Sequence, residues 1–385
     1  MNCAPDRKRD HSRLIRLSCL FATIMLMIVS LGPEVAQAQV PPNIEEGLLK
    51  IGHIVDPICT SQLYRPLMPA NDINSNVTPL YPGITIVRDQ SFGPNPKDVV
   101  DIFTADKGGP NRAVLIYVPG GPGNKMEIGK EGAAFFDNIG RWATENGMVG
   151  ILMQRHGGGE YYSGAKDVSA MIQWVEANIS KYNGDPDRMF AWAHSAGNGP
   201  LGIYLGHPEL YGPKGVGLKG VVFMSGQFNI IRPDGTNPLP PPATPAGNPT
   251  AGAGKACGAA PEGGPAGAAG PGGAGGGRGA GATAAAPGGP PQISQEELIA
   301  RSSLPALEKT SVKIFLASAE LDPGVDGGMS PFNQALHDEL CKAGPDHCPA
   351  MLFGKGESHM GEVFSIDTPD QAVSGPILAW MKKIK

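Results

Sequence analysis

Residues 188–197 read Arg188-Met189-Phe190-Ala191-Trp192-Ala193-His194-Ser195-Ala196-Gly197. An apolar run, Met189 to Ala193, leads into a serine flanked by small residues, and a small-residue helical pattern follows. That is a strand, a sharp turn and a helix, with Ser195 at the apex. Strand and helix pass close together at such a turn, so only small residues fit beside the serine, and its hydroxyl is lifted above the sheet edge. The usual pattern is Gly-x-Ser-x-Gly; here Ala193 takes the first glycine position and is still small enough. Ser195 is therefore read as a nucleophile, with a plain turn serine as the alternative. The rest of the chain must then supply a base, an acid and oxyanion donors.

Outward from this stretch, strands alternate with helices. Upstream, Ala165 to Tyr182 carries Val168, Met171, Ile172, Val175 and Ile179 on one helical stripe. Asp185-Pro186-Asp187 reads as the turn into the serine strand. Ala113 to Val118 and Met148 to Met153 are apolar throughout, as strands buried on both faces are. A helix is expected between them over about Gly132–Asn146, and two earlier strands over Gly83–Arg88 and Asp98–Phe103. Downstream come a helix (Gly197–Leu205) and a strand (Lys219–Met224). Ser294 then caps a helix. After it follow a strand (Ser311–Ser318), a helix (about Pro331–Ala343) and a last strand (Ala350–Phe353). Thr368-Pro369 opens the closing helical region, whose Ile377, Trp380, Met381 and Ile384 have helical spacing. This alternation predicts an α/β fold: a mostly parallel sheet covered on both faces, with functional residues on loops at the carboxyl ends of strands.

Three segments stand outside that pattern. Residues 1–38 have five basic residues (Arg7, Lys8, Arg9, Arg13, Arg16), an apolar run from Leu17 to Leu31 and Ala36-Gln37-Ala38. This is the layout of a secretory signal peptide cut after Ala38, the rival being a single membrane anchor. With no second long apolar stretch, the mature chain is expected to be secreted or periplasmic, without stable membrane insertion. Residues 39–82 show no clear period and are expected to be irregular. Residues 233–292 are nearly all glycine, alanine and proline, with Leu239 the sole large aliphatic residue, and contribute much of the 55 glycines and 38 prolines. Such a stretch cannot bury a core; it reads as a disordered insertion between residues 83–232 and 293–385 of one domain.

Four cysteines remain after residue 38. An exported chain meets an oxidising compartment, so a disulfide is the default, with Cys341 and Cys348 as the first pair. A metal site from His337, Cys341, His347 and Cys348 is the rival, weakened because adjacent His347 and Cys348 chelate one ion poorly. Cys59 and Cys257 either pair with each other or stay free. The net charge of -5 argues against a nucleic-acid partner held through phosphates.

Serine attacks only when a base takes its proton, and an acid must hold that base in the right tautomer. The expected set is Ser195, His359 in the loop after the last strand, and Asp322 after the preceding one. All three fall at strand ends. Asp326 and Glu320 are the rivals for the acid. His194, His207 and His337 read as turn, helix-end or surface residues, and His156 as part of a glycine loop. The oxyanion that forms on attack needs preorganised donors. Ala196 offers its N–H, and the loop Pro119-Gly120-Gly121-Pro122-Gly123 offers those of its glycines, since Pro122 has none. Gly120 and Gly121 are the expected donors. No Gly-Lys-Ser/Thr element makes this loop a nucleotide cradle. No metal or organic cofactor is expected.

These residues resemble the α/β-hydrolase superfamily, most of all its feruloyl-esterase-like and hormone-sensitive-lipase-like esterases. Tyr117-Val118-Pro119-Gly120-Gly121 is similar to their His-Gly-Gly loop. His194-Ser195-Ala196-Gly197, Glu320-Leu321-Asp322-Pro323 and Ser358-His359-Met360 are similar to their nucleophile, acid and base segments. The likeness runs from about Gly83 to the C-terminus, apart from the insertion. It implies an α/β-hydrolase fold and a serine hydrolase of carboxylic esters acting on small molecules through an acyl-enzyme. Pro119 and Ala193 depart from the family pattern. An inert hydrolase-like binding protein, or an aminopeptidase or amidase of the same fold, are the alternatives.

Overall fold

The computed structural model describes residues 39–68, 81–121, 123, 135–155, 160–240, 249–259, 293–323 and 329–385. The expected leader, most of the expected insertion, Pro122, His156 and Asp326 lie outside the described residues.

The chain first forms α1 (Pro42–Ile51) and α2 (Pro57–Tyr64). Here the expectation of an irregular segment over 39–82 is corrected. Ile44, Leu48 and Ile51 recur at helical spacing and are buried, and Asp56 caps α2 by accepting from the Cys59 N–H. α1 is only ten residues long and opens on Pro42, so its period is short.

The remaining elements follow in order: β1 (Ile84–Ser91), β2 (Val99–Ala105), β3 (Arg112–Val118), α3 (Asp137–Glu145), β4 (Val149–Met153), α4 (Ser163–Asn178), β5 (Gly184–His194), α5 (Asn198–Gly206), β6 (Gly220–Met224), α6 (Gln295–Ala300), α7 (Leu304–Leu307), β7 (Lys313–Leu321), α8 (Met329–Lys342), β8 (Ala350–Ser358), α9 (Gly361–Phe364) and α10 (Ser374–Met381). The strands make one eight-stranded sheet in the order β1-β2-β4-β3-β5-β6-β7-β8. β1 and β2 pair antiparallel, as do β2 and β4; from β4 to β8 every pairing is parallel.

Strand periodicity explains the layers. In β3, Leu115 and Tyr117 point into one apolar cluster while Val114, Ile116 and Val118 point into the other. β5 repeats the split, with Phe190 and Trp192 on one side and Met189, Ala191 and Ala193 on the other. The first cluster is closed by α1, α2, α3, α9 and α10, the second by α4, α5, α7 and α8. The expected stripe on α4 is buried in the second cluster, Ile179 included. Asp185-Pro186-Asp187 belongs to β5 rather than to a turn before it, although the pairing with β3 skips from Gly184 to Met189 and leaves these residues bulged out of register.

Part of the expected insertion is ordered against the domain. Residues 249–259 are held by three contacts: Val55 N–H donates to Pro249 O, Gly254 N–H donates to buried Asp56 Oδ2, and Cys257 is disulfide-bonded to Cys59. Cys341 and Cys348 are also bonded to each other, which engages two of the four donors of the rival metal reading. Among the described residues no helix is long and apolar enough to cross a membrane.

Candidate active site

Each parallel strand hands its chemistry to the residues immediately beyond its end. Ser195 follows β5, Ser225 follows β6, Asp322 follows β7 and His359 follows β8. The carboxyl ends of this run of parallel strands bring residues 164 positions apart into hydrogen-bond contact, although β6 and β7 separate β5 from β8. His359 Nε2 lies 2.9 Å from Ser195 Oγ, and His359 Nδ1 lies 2.8 Å from Asp322 Oδ1. Asp322 and His359 are each 1% exposed. With Asp322 accepting from Nδ1–H, the ring presents Nε2 as the acceptor for the serine hydroxyl.

The turn at Ser195 is strained and heavily supported. Its φ is +53°, a left-handed conformation that costs a non-glycine residue about 1–3 kcal/mol. Asn198, fully buried, donates from Nδ2 to both Ser195 O (2.9 Å) and Met224 O (2.8 Å). Gly197 is obligatory: a Cβ there would stand 2.3 Å from Val118 O and 2.8 Å from Pro119 O. Ala193 is buried within the sheet, where its methyl group is accommodated.

Asp322 is fixed on its far side. Ser225 Oγ–H donates to Asp322 Oδ2 at 2.6 Å and the Ala319 N–H donates to the same oxygen at 3.0 Å. The rival Glu320 instead accepts from the Gly356 N–H. Of the other described histidines, His207 is engaged with Glu209 and Tyr162, and His337 with Asp338. His194 is closer to the site than a turn residue need be. Its Nε2–H donates to His359 O at 2.9 Å and its ring lies 4.7 Å from that of His359. Burial, and then the neighbouring His359, hold His194 well below the usual histidine range, so it stays neutral. Glu362 Oε2 is 4.0 Å from His194 Nε2, yet burial and the charge of Asp322 push the Glu362 carboxyl well above its ordinary range. The two make no ion pair.

The glycine loop sits against the serine. A Cβ on Gly120 would be 2.8 Å from Ser195 Cβ and 3.4 Å from Ser195 Oγ. Gly121 and Ala196 are exposed beside it. Gly123 is withdrawn from the donor set, because its N–H donates to Gly120 O at 3.0 Å.

No family model matches the chain. A mutant esterase of known structure superposes with a TM-score of 0.50 over 89% of this chain and 99% of its own, at 15% identity. An esterase B from Lactobacillus rhamnosis, solved with a tributyrin phosphonate, superposes with a TM-score of 0.50 over 98% of this chain and 96% of its own, at 10% identity. The chain has the α/β-hydrolase fold. A chlorogenic acid esterase from Aspergillus niger is 32% identical over 108 residues, 25% of this chain and 20% of that one. The match spans about a fifth of that relative's length.

Several residues around this candidate site gave little signal in the sequence. Ser225 and Asn198 are small polar residues in unremarkable surroundings. Arg155 follows β4 in a stretch that reads as a loop. His53, whose Nδ1 is 3.3 Å from Asp322 O, comes from the N-terminal segment. Position after a parallel strand was the available clue for Ser225 and Arg155.

Proposed function

We propose that this chain is a serine hydrolase of carboxylic esters that works through an acyl-enzyme. The observation that carries the reading is the unbroken chain of contacts from Ser195 Oγ through His359 to Asp322, 2.9 and 2.8 Å long. Ser195 Oγ attacks the ester carbonyl carbon while His359 Nε2 takes its proton. Asp322 orients the ring and offsets the imidazolium charge. The N–H groups of Gly120, Gly121 and Ala196 receive the oxyanion. Collapse of the tetrahedral intermediate expels the alcohol, which takes the proton from Nε2. Water then attacks the acyl-enzyme with Nε2 as base, releasing the acid and restoring the serine.

A small-molecule ester is the proposed substrate class. Short p-nitrophenyl esters and chlorogenic acid, the latter from the name of the Aspergillus relative, are the first to try. An exported location is part of the proposal, supported by the basic and apolar N-terminal sequence and by the Cys59–Cys257 and Cys341–Cys348 disulfides. Reaction with a fluorophosphonate probe and mass mapping of the adduct tests the nucleophile. One adduct on the peptide carrying Ser195 is expected, together with loss of ester turnover. A folded protein that takes no label, or takes it elsewhere, would point to an inert binding protein. Faster cleavage of amide than of ester analogues would move the substrate class instead.

A further inference from the structure

Arg155 is 6% exposed and stands just past β4, beside the loop 119–123. Its Nε donates to Pro119 O at 3.0 Å and its Nη2 to Gly121 O at 2.9 Å. Its backbone N–H donates to Gly123 O at 3.0 Å. Gly123 makes room for it: φ there is +91°, and a Cβ would fall 2.4 Å from Arg155 Cγ and 2.9 Å from Arg155 O. One residue therefore holds three carbonyls of a five-residue loop.

The consequence follows from peptide planarity. In a trans peptide the C=O and N–H point in opposite directions. Holding the Pro119 carbonyl on Arg155 turns the Gly120 N–H away from Arg155, and Gly120 is the residue packed on Ser195. The Gly120 carbonyl is turned to the Gly123 N–H, which sets the direction of the Gly121 N–H in the same way. The third peptide, held through Gly121 O, ends at Pro122 and has no N–H to aim; that contact locks the loop. A planar guanidinium presents its donors in a rigid fork that reaches two separated carbonyls, whereas an ammonium is one compact point of charge on a flexible stem.

We propose that Arg155 is the positioning residue of the oxyanion loop, setting the Gly120 and Gly121 N–H groups toward the oxygen that develops at Ser195. The proposal rests on the esterase reading of that serine. Burial pulls the Arg155 guanidinium down to about 10, with the carboxylate of Asp167 acting in the opposite sense, so it is still charged at neutral pH. Its charge adds to the field felt by an oxyanion.

The test uses the full chain and three variants, Arg155→Lys, Arg155→Met and Ser195→Ala. Steady-state kinetics on a p-nitrophenyl ester is paired with inhibition by a trifluoromethyl ketone, whose adduct with serine carries the oxyanion. For Arg155→Met, kcat is expected to fall on the order of 10- to 100-fold, with the ketone Ki rising by a similar factor and KM within about twofold. Arg155→Lys, which keeps the charge and reaches one carbonyl, should lie between. Should the methionine variant fail to fold, the lysine variant decides alone. Ketone inhibition unchanged in a folded Arg155 variant overturns the proposal, whether or not the rate falls. Turnover surviving in Ser195→Ala overturns the underlying reading instead, so the two failures are separable.

Discussion

At the scale of single residues, the site depends on how closely backbone atoms can approach Ser195. Gly120 is the sharpest case. Adding one methyl group there puts carbon 2.8 Å from Ser195 Cβ and 3.0 Å from His194 O, well inside contact distance. The loop must then lift off the serine. Gly120→Ala is expected to reduce kcat/KM by at least about tenfold, because displacing catalytic donors by about 1 Å costs up to about 100-fold. Gly121→Ala is the useful contrast. Its φ of +53° strains an alanine, yet nothing stands within 4 Å of the added carbon. It should cost about 1 kcal/mol of stability and spare most of the rate. Equal kinetics for the Gly120 variant and the parent would mean that the loop does not serve the oxyanion.

At the scale of elements, the end of β8, α9 and the loop that follows it carry an unusual load of buried acid. Glu357, Glu362 and Asp370 are each 1% exposed or less, and Tyr64 from α2 donates to Asp370 at 3.0 Å and to Glu357 at 3.4 Å. Burial first, and then the neighbouring carboxylates, raise the Glu357 carboxyl well above its ordinary range. The folded state therefore holds this proton more tightly than the unfolded chain, where glutamate titrates near about 4.3. Its contribution to stability is full below that value and is lost as pH rises through the elevated one. Tm should accordingly decline from mildly acidic to alkaline pH. Glu357→Gln, which has no proton to lose, should make that decline shallower, as read by thermal melts across the pH range. An unchanged slope would show that Glu357 is not among the groups responsible.

The strand–turn–helix at Ser195 was legible because one apolar run and three small residues encode it locally. The position of Asp322 and His359 at strand ends was legible because strands with continuous apolar runs point to a parallel sheet, whose loops at the carboxyl ends follow directly. Arg155, Asn198 and Ser225 act through contacts with backbone carbonyls or with another residue's carboxylate. Such contacts leave no periodic or compositional trace. α1 and α2 gave little signal because they are ten and eight residues long and their burial is against β8 and α9, far along the chain.

At the scale of the whole molecule, the Cys59–Cys257 bond ties residues 249–259 to α2, 198 positions away in sequence. Closing so long a loop in the unfolded chain contributes on the order of 2–5 kcal/mol. The Cys59→Ser, Cys257→Ser double variant should therefore melt roughly 3–8 °C below the parent. An unchanged Tm would mean that the hydrogen bonds to Asp56 and Val55 hold this segment unaided. Because Asp56 lies three residues from His53, which approaches Asp322 O, the tether also reaches the neighbourhood of Asp322.

The central claim is that a hydroxyl, an imidazole and a carboxylate from three separate strands act as one unit on an ester. Its most direct measurement is the initial rate of p-nitrophenyl ester hydrolysis by the purified parent and by Ser195→Ala, each verified as folded by its melting curve. The parent should turn over with a rate proportional to enzyme, and the alanine variant should lose at least about 1,000-fold, down to the residual level that binding and oxyanion donors alone provide. Turnover by Ser195→Ala within a few-fold of the parent would contradict the account.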